Sequence, residues 1–146
     1  MYWWGNLFAP FALGVLGWLV THLLANPLLT VYRLRQEAPE VIFRTSNIGS
    51  GAEPDERKEA RDLLRGLAAR ITAANAAALP SLRWILRRYG LDLRKATEGL
   101  TALSNSLEAT DGSRALHRAT VERALRLPRT DSDEYLSKIE HALGKR

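Results

Sequence analysis

Cysteine is absent from the 146 residues, which excludes disulfides, thiolate metal sites and cysteine nucleophiles. Its absence leaves the compartment open, since cytosolic and simple periplasmic domains both do without it. Charge is missing from the start of the chain: no Asp, Glu, Lys or Arg precedes Arg33, so all 21 basic and 16 acidic side chains fall in residues 33–146. Histidine is scarce, and His22, His117 and His141 stand far apart. No glycine-rich elbow precedes a serine, and no HExxH or DxDxDG spacing offers a metal site. No P-loop or GxGxxG cradles a phosphate. Alternating β-branched runs long enough for a sheet are lacking too. The chain therefore reads as all-α and non-enzymatic, with neither cofactor nor metal.

What is present begins with Leu7 to Ala25, an uncharged apolar run. At helical rise it spans about 28 Å, close to the hydrocarbon thickness of a bilayer. A cleaved signal peptide would want a basic n-region and small residues before the cut. Here the first six residues carry no Lys or Arg, and a cut after Ala25 would place Leu23 at the −3 position. The run reads as a retained anchor. Arg33, Arg35 and Arg44 follow it, so the positive-inside rule puts the N-terminus outside and residues 33–146 in the cytoplasm. Tyr2, Trp3 and Trp4 suit an outer aromatic belt, with Tyr32 at the inner one. Asn6 is expected to cap the membrane helix, leaving Pro10 in or just past its first turn. Gly14, Gly17, Thr21 and Ala25 recur every three or four residues, a small-residue stripe of the kind that packs helices in lipid. His22 reads as an interfacial polar side chain.

Asn26-Pro27 either restarts a helix or kinks a continuous one, and Pro39 is expected to disrupt it again. Residues 46–54 form a loop by composition. The division is then 1–32 as anchor with its flanks, 33–54 as juxtamembrane helix and loop, and 55–146 as a cytoplasmic α-helical domain. From Pro54 to Ala78 an amphipathic helix places Leu63, Leu64, Leu67, Ala68, Ile71, Ala74 and Ala78 on one stripe. Leu67 and Ile71 are expected in the core, with Arg57, Arg61 and Arg65 on the opposite, exposed side. Pro80 opens a short helix to Tyr89 whose face is Leu82, Ile85, Leu86 and Tyr89, and Gly90 stops it. Asp92 caps the next helix, with Ala96, Leu100, Leu103 and Leu107 in register. Ser113 is expected to cap a helix to about Leu127, and Asp131-x-x-Glu134 has the form of a capping box for a last helix carrying Tyr135, Leu136, Ile139, Ala142 and Leu143. The sum is a small helical bundle.

Two polar features compete as sites. Ser104-Asn105-Ser106 reads as a solvated or helix-packing patch and gives an enzyme only thin support. Arg83, Trp84, Arg87, Arg88, Arg94 and Lys95 form a basic cluster interleaved with aromatics, including Tyr89, and opposed only by Asp92. Arginine beside aromatic rings grips phosphate, and next to an anchored leaflet the nearer phosphate is anionic lipid; nucleic acid is the weaker match. The competing reading is a solvated helix face, with Trp84 and Tyr89 partly in the core.

From residue 94 the sequence has a further likeness. Lys95-Ala96-Thr97-Glu98-Gly99-Leu100, then Leu103-Ser104-Asn105-Ser106, then Gly112, Arg114-Ala115 and His117, with Pro27 and Leu34-Arg35 upstream, resembles a group of short, uncharacterised bacterial membrane proteins. These pair an N-terminal membrane helix with an α-helical domain. The resemblance covers most of the chain up to Pro128. It implies architecture and a membrane location only, and it assigns no activity and no functional residue. Taken together, the sequence points to a membrane-anchored, non-enzymatic interaction or accessory subunit. Its partners would be a protein or a second copy of itself, met through the membrane helix or the bundle. The alternative is a tethered module binding anionic lipid or nucleic acid through the arginines.

Overall fold

The computed structural model describes residues 3–49 and 51–144, and side chains from Pro10 onward within them. Tyr2 and the side chains of Trp3 and Trp4, the expected outer belt, lie outside the described residues. Helix α1 covers Trp3–Val20, a π-helical turn covers Thr21–Ala25, and α2 covers Asn26–Ser46, all on one unbroken rod. Then follow α3 (Pro54–Ala77), α4 (Pro80–Arg88), α5 (Leu93–Asn105), α6 (Ser113–Ala124) and α7 (Asp133–Leu143). Among the described residues there is no strand. The protein is all-α, a long apolar N-terminal helix leading into a helical bundle.

The rod is long and apolar enough to cross a membrane, and its most apolar stretch buries nothing in the protein. Helix α1 begins upstream of Asn6, so Asn6 sits inside the helix rather than at its cap, and Pro10 lies beyond the first turn. At Pro27 the chain neither restarts nor breaks. Proline brings no N–H, and its ring would collide with the Leu23 carbonyl in a regular α-helix. The π turn widens the backbone there: the Asn26 N–H donates to the Thr21 carbonyl, one residue further back than α-helical bonding. The hydroxyls of Thr21 and Thr30 donate to the Gly17 and Asn26 carbonyls at 2.8 and 2.9 Å, extra bonds where the proline weakens the ladder. Pro39 also stays inside a continuous helix, contrary to the expected disruption. Its ring is on the exposed side, while Val31, Leu34, Ala38, Ile42 and Thr45 are buried on the other. Packing along that stripe outweighs one missing hydrogen bond.

That stripe makes α2 a bundle member. Val31, Leu34, Ala38 and Ile42 join one core with Leu64, Leu67, Ile71, Leu82, Leu86, Leu100, Leu103 and Val121. The juxtamembrane segment is thus not separate from the domain that follows. Leu67 and Ile71 are buried as the periodicity predicts, at 2% and 0% exposed. Helix α5 is the centre, packed on α3 from one side and on α6 from the other. Asp92 caps it, accepting from the Lys95 N–H at 3.1 Å.

Three local expectations are corrected by what the side chains reach. Arg57 and Arg61 flank the buried stripe of α3 instead of opposing it, and both pair with Glu108; Arg65 reaches Asn105. Ser113 does not cap α6: the helix starts after Gly112, at φ +82°, and the Asp111 carboxylate accepts from the Ser113 N–H. Ser132, not Asp131, caps α7, because Asp131 is drawn to Arg118. Helix α6 also stops at Ala124, short of Leu127. Arg126 turns through φ +52°, and the Leu127 N–H returns to the Glu122 carbonyl at 2.8 Å, which closes the helix end.

Gly99 is the tight point between α5 and α6. A Cβ there would stand 2.8 Å from Val121 Cγ2 and 3.3 Å from the Val121 backbone nitrogen. Backbone cannot rotate aside, so Gly99→Ala is expected to destabilise the bundle by about 1–3 kcal/mol as the two helices are forced apart. Gly66 on α3 has nothing within 4 Å of the same position, and Gly66→Ala is expected to add about 0.4–1 kcal/mol through lower backbone entropy. Thermal melts of the two variants in detergent should therefore move in opposite directions. Melts moving the same way would mean that the α5–α6 contact is looser than drawn.

Candidate functional site

The seam between α2 and α3 is fixed by ion pairs. Arg70 of α3 makes a two-pronged bond to Glu37 of α2, and Glu59 takes Arg44 at 3.0 Å. The bond to Glu37 raises the Arg70 guanidinium above its ordinary pKa. Residue numbers rise on one helix as they fall on the other, so α2 and α3 are antiparallel. Seven residues beyond Arg70, about 10 Å at helical rise, Ala77 comes level with Thr30, one turn past Pro27.

Helix α4 starts at that level, and its other end is tied nearby. The Arg126 guanidinium donates to the Tyr89 carbonyl at 2.9 Å, and Arg35 donates to the Arg126 carbonyl at 3.1 Å. Gly90, at φ +76°, makes the turn and leaves room for the Arg126 side chain. Both ends of α4 therefore lie near the stretch between Thr30 and Arg35. The helix crosses the rod-side end of the bundle.

Its surface divides by helical geometry. Leu82 and Leu86 are buried. At about 100° per residue, Trp84 falls opposite them, with Arg87 and Arg88 to either side. Trp84 and Tyr89 are 67% and 68% exposed, so neither sits in the core as the competing reading had it. Ile85 is also exposed, where the sequence placed it on the inner face. Beyond Tyr32, the exposed large apolar side chains among the described residues are Phe43, Leu79, Trp84, Ile85, Tyr89 and Tyr135. All but Phe43 and Tyr135 belong to α4 or its ends.

The structure brings the basic cluster together at this end. Arg83 donates from Nε to the Ala78 carbonyl at 3.0 Å, which steadies the start of α4. Arg94 pairs with Glu98 at 2.9 Å, and Lys95 is exposed on the same turn of α5. Arg87 and Arg88 have no carboxylate partner among the described residues. The acids at the start of α5 are already engaged: Asp92 caps the helix and Glu98 takes Arg94. At the far end acids and bases are mixed, Glu53, Asp55, Glu56 and Glu59 standing with Arg57 and Lys58 near the first turns of α3.

The other candidates are structural in geometry. Ser104 and Ser106 donate to the Thr101 and Leu103 carbonyls at 2.7 and 3.2 Å, and Asn105 accepts from Arg65. Together they finish α5. His22 stacks on Trp18 with ring centres 4.8 Å apart. Gly14 and Gly17 have nothing within 4 Å, Thr21 is exposed, and Ala25 is half-buried, so this stripe lies open along the rod. No group of three or more His, Asp or Glu able to hold a metal ion occurs among the described residues.

Sequence reasoning passed over three residues. Arg114 is half-buried and donates to the Thr45 and Ile48 carbonyls, capping the end of α2 from α6. Burial, then the charge of Arg118, lowers its guanidinium below the ordinary value. Arg126 was hidden because nothing local marks a left-handed arginine. Phe43 stands 75% exposed on α2, beside a groove of about 370 Å³ lined by Pro39, Ile42, Leu127 and Pro128. A second groove, about 540 Å³, runs between α2 and α3 over Val41, Leu63 and Leu67. No protein-family model matches this chain, and no curated protein or solved structure matches it.

Proposed function

We propose that the protein is a single-pass, non-enzymatic accessory or interaction subunit of a bacterial inner membrane. Residues 7–25 lie in the bilayer, the N-terminus is outside, and the bundle is in the cytoplasm. The carrying observation is the rod itself, which runs from Trp3 to Ser46 without a linker and gives its second half to the bundle core. A domain merely localised by a tether is served by a flexible connection. A bundle built on the end of its own span is instead held at a set height and angle, which suits docking against a neighbour. Arg33, Arg35 and Arg44 beyond the span support the orientation, and the resemblance to short single-pass bacterial proteins agrees with the architecture. Two grooves flank α2 and Phe43 projects beside one of them, a surface suited to a protein partner. The open stripe of Gly14, Gly17, Thr21 and Ala25 offers a second face for assembly in lipid. The non-enzymatic reading rests on the serine patch, whose hydroxyls are spent on helix carbonyls.

Because the chain has no cysteine, one introduced thiol reports topology cleanly. Glu140→Cys, at an exposed site on α7, is expected to resist a membrane-impermeant maleimide in intact spheroplasts and to react after permeabilisation. A photo-crosslinking residue at Phe43 or Leu63 is expected to give one adduct of defined mass, absent when the same residue replaces Glu140. Labelling in intact spheroplasts would reverse the orientation. A monomer in native nanodiscs, with no adduct at either groove, would remove the subunit reading.

A further inference from the structure

We infer that α4 is an interfacial helix: Arg83, Arg87 and Arg88 bind anionic lipid headgroups of the leaflet from which the bundle emerges, while Trp84 and Tyr89 enter the headgroup layer. The inference rests on the reading of residues 7–25 as a membrane span and adds a second contact between bundle and bilayer.

Three independent observations select this occupant. The first is height. The antiparallel pairing of α2 and α3 sets the start of α4 level with Thr30, and the Arg35–Arg126–Tyr89 chain holds its far end close by. The rod has exposed apolar side chains down to Leu28 and Leu29, so α4 lies where hydrocarbon gives way to headgroups. A protein partner could dock on any flank of the bundle, but the bilayer must meet this end. The second is side-chain type. Trp84 occupies the crest of the helix, opposite Leu82 and Leu86, with Arg87 and Arg88 beside it. An aromatic crest flanked by arginines is the pattern of a helix lying in a membrane interface, and it is a poor choice for a face left in water. The third is charge. Arg87 and Arg88 lack carboxylate partners among the described residues, and Asp92 and Glu98, the acids at the start of α5, are engaged within that helix. An anionic surface is the complement this end lacks.

Such docking would fix the tilt of the bundle on its rod. Each basic side chain near an anionic leaflet contributes about fivefold in affinity, so three together shift the docked-to-free ratio by roughly two decades. The interaction should weaken as salt screens it.

The test uses the full chain in nanodiscs, with Trp84 made the sole tryptophan by Trp3→Phe, Trp4→Phe and Trp18→Phe. In discs containing one-third phosphatidylglycerol, a headgroup-level spin-labelled lipid is expected to quench Trp84 strongly, and acrylamide weakly. In pure phosphatidylcholine discs, or at 1 M salt, the two quenchers should exchange rank. Arg83→Gln, Arg87→Gln and Arg88→Gln combined should do the same in anionic discs without moving the thermal melt. Should the triple variant melt early, Arg88→Gln alone with a salt titration of the parent chain decides the matter. Trp84 equally open to acrylamide in anionic and neutral discs would overturn the inference, as would lipid quenching that ignores both salt and arginine removal. Resistance to alkaline carbonate extraction tests the span separately. A chain that resists extraction but shows no lipid quenching keeps its anchor and loses the interfacial helix.

Discussion

A fragment beginning at Pro54 is expected to lose its cooperative melt, whereas one beginning at Asn26 should keep it. The sequence pattern makes 55–146 look like a complete domain, since it gives apolar stripes to α3, α4, α5 and α7. Its core is not complete. Val31, Leu34, Ala38 and Ile42 of α2 are 3%, 3%, 0% and 6% exposed, and they cover the face of α3 that holds Leu64, Leu67 and Ile71. Burying a Val, Leu or Ile side chain stabilises by about 1.5–3 kcal/mol. The three large ones alone therefore approach the whole stability of a small domain, about 5–15 kcal/mol. Arg114 would suffer as well, because the Thr45 and Ile48 carbonyls it caps leave with α2. The shorter fragment should keep helical circular dichroism, since α3 and α5 are strongly amphipathic, but melt without a sharp midpoint and bind a hydrophobic dye. A cooperative transition in that fragment, within a few degrees of the longer one, would show that α2 only rests on the bundle.

Leu100→Ala should be the most damaging single truncation, at about 2–5 kcal/mol. Leu100 is 0% exposed on α5, the helix that α3 and α6 clasp from opposite sides. Those neighbours are held at their ends by Asp92 to Ala124 and by Arg57 and Arg61 to Glu108, so the space left by three carbons cannot easily collapse. For a domain of this size each kcal/mol shifts the melt by roughly 4–8 °C. The variant should melt more than 10 °C early in detergent, while Phe43→Ala, at a site 75% exposed, should stay within about 0.5 kcal/mol of the parent. Comparable losses at both positions would mean that α5 is not the centre of the core.

The sequence was most informative where the determining interactions are local. Pro54, Pro80, Asp92 and Gly90 mark helix ends because they act through their own backbone: a fixed φ, a missing N–H, a carboxylate within reach of the third amide, or a freedom for positive φ. The 3.6-residue spacing of Leu64, Leu67, Ile71, Ala96, Leu100 and Leu103 named the buried stripes of α3 and α5 correctly. Reading failed where two segments compete for one side chain. Asp131 has the right spacing for a cap, but Arg118, on another helix, claims it. Ile85 and Tyr89 look like core by their spacing, yet α4 is short and buries only the Leu82–Leu86 side. Pro39 looks like a break because the buried stripe that carries the helix past it cannot be seen without α3.

By itself, the sequence determined that this is an all-α chain with its charge confined beyond residue 32, an apolar stretch of bilayer length and no cysteine chemistry. These follow from composition and short-range periodicity, which do not depend on where the chain goes next. Only the tertiary structure decided that α2 belongs to the core, that Gly99 is a contact point, and that the arginines of α4 gather at the rod-side end of the bundle. Those facts depend on the antiparallel register of α2 and α3 and on the bridge from Arg35 through Arg126 to Tyr89. Its first link joins residues 35 and 126, which are 91 positions apart, so no local pattern could have announced it.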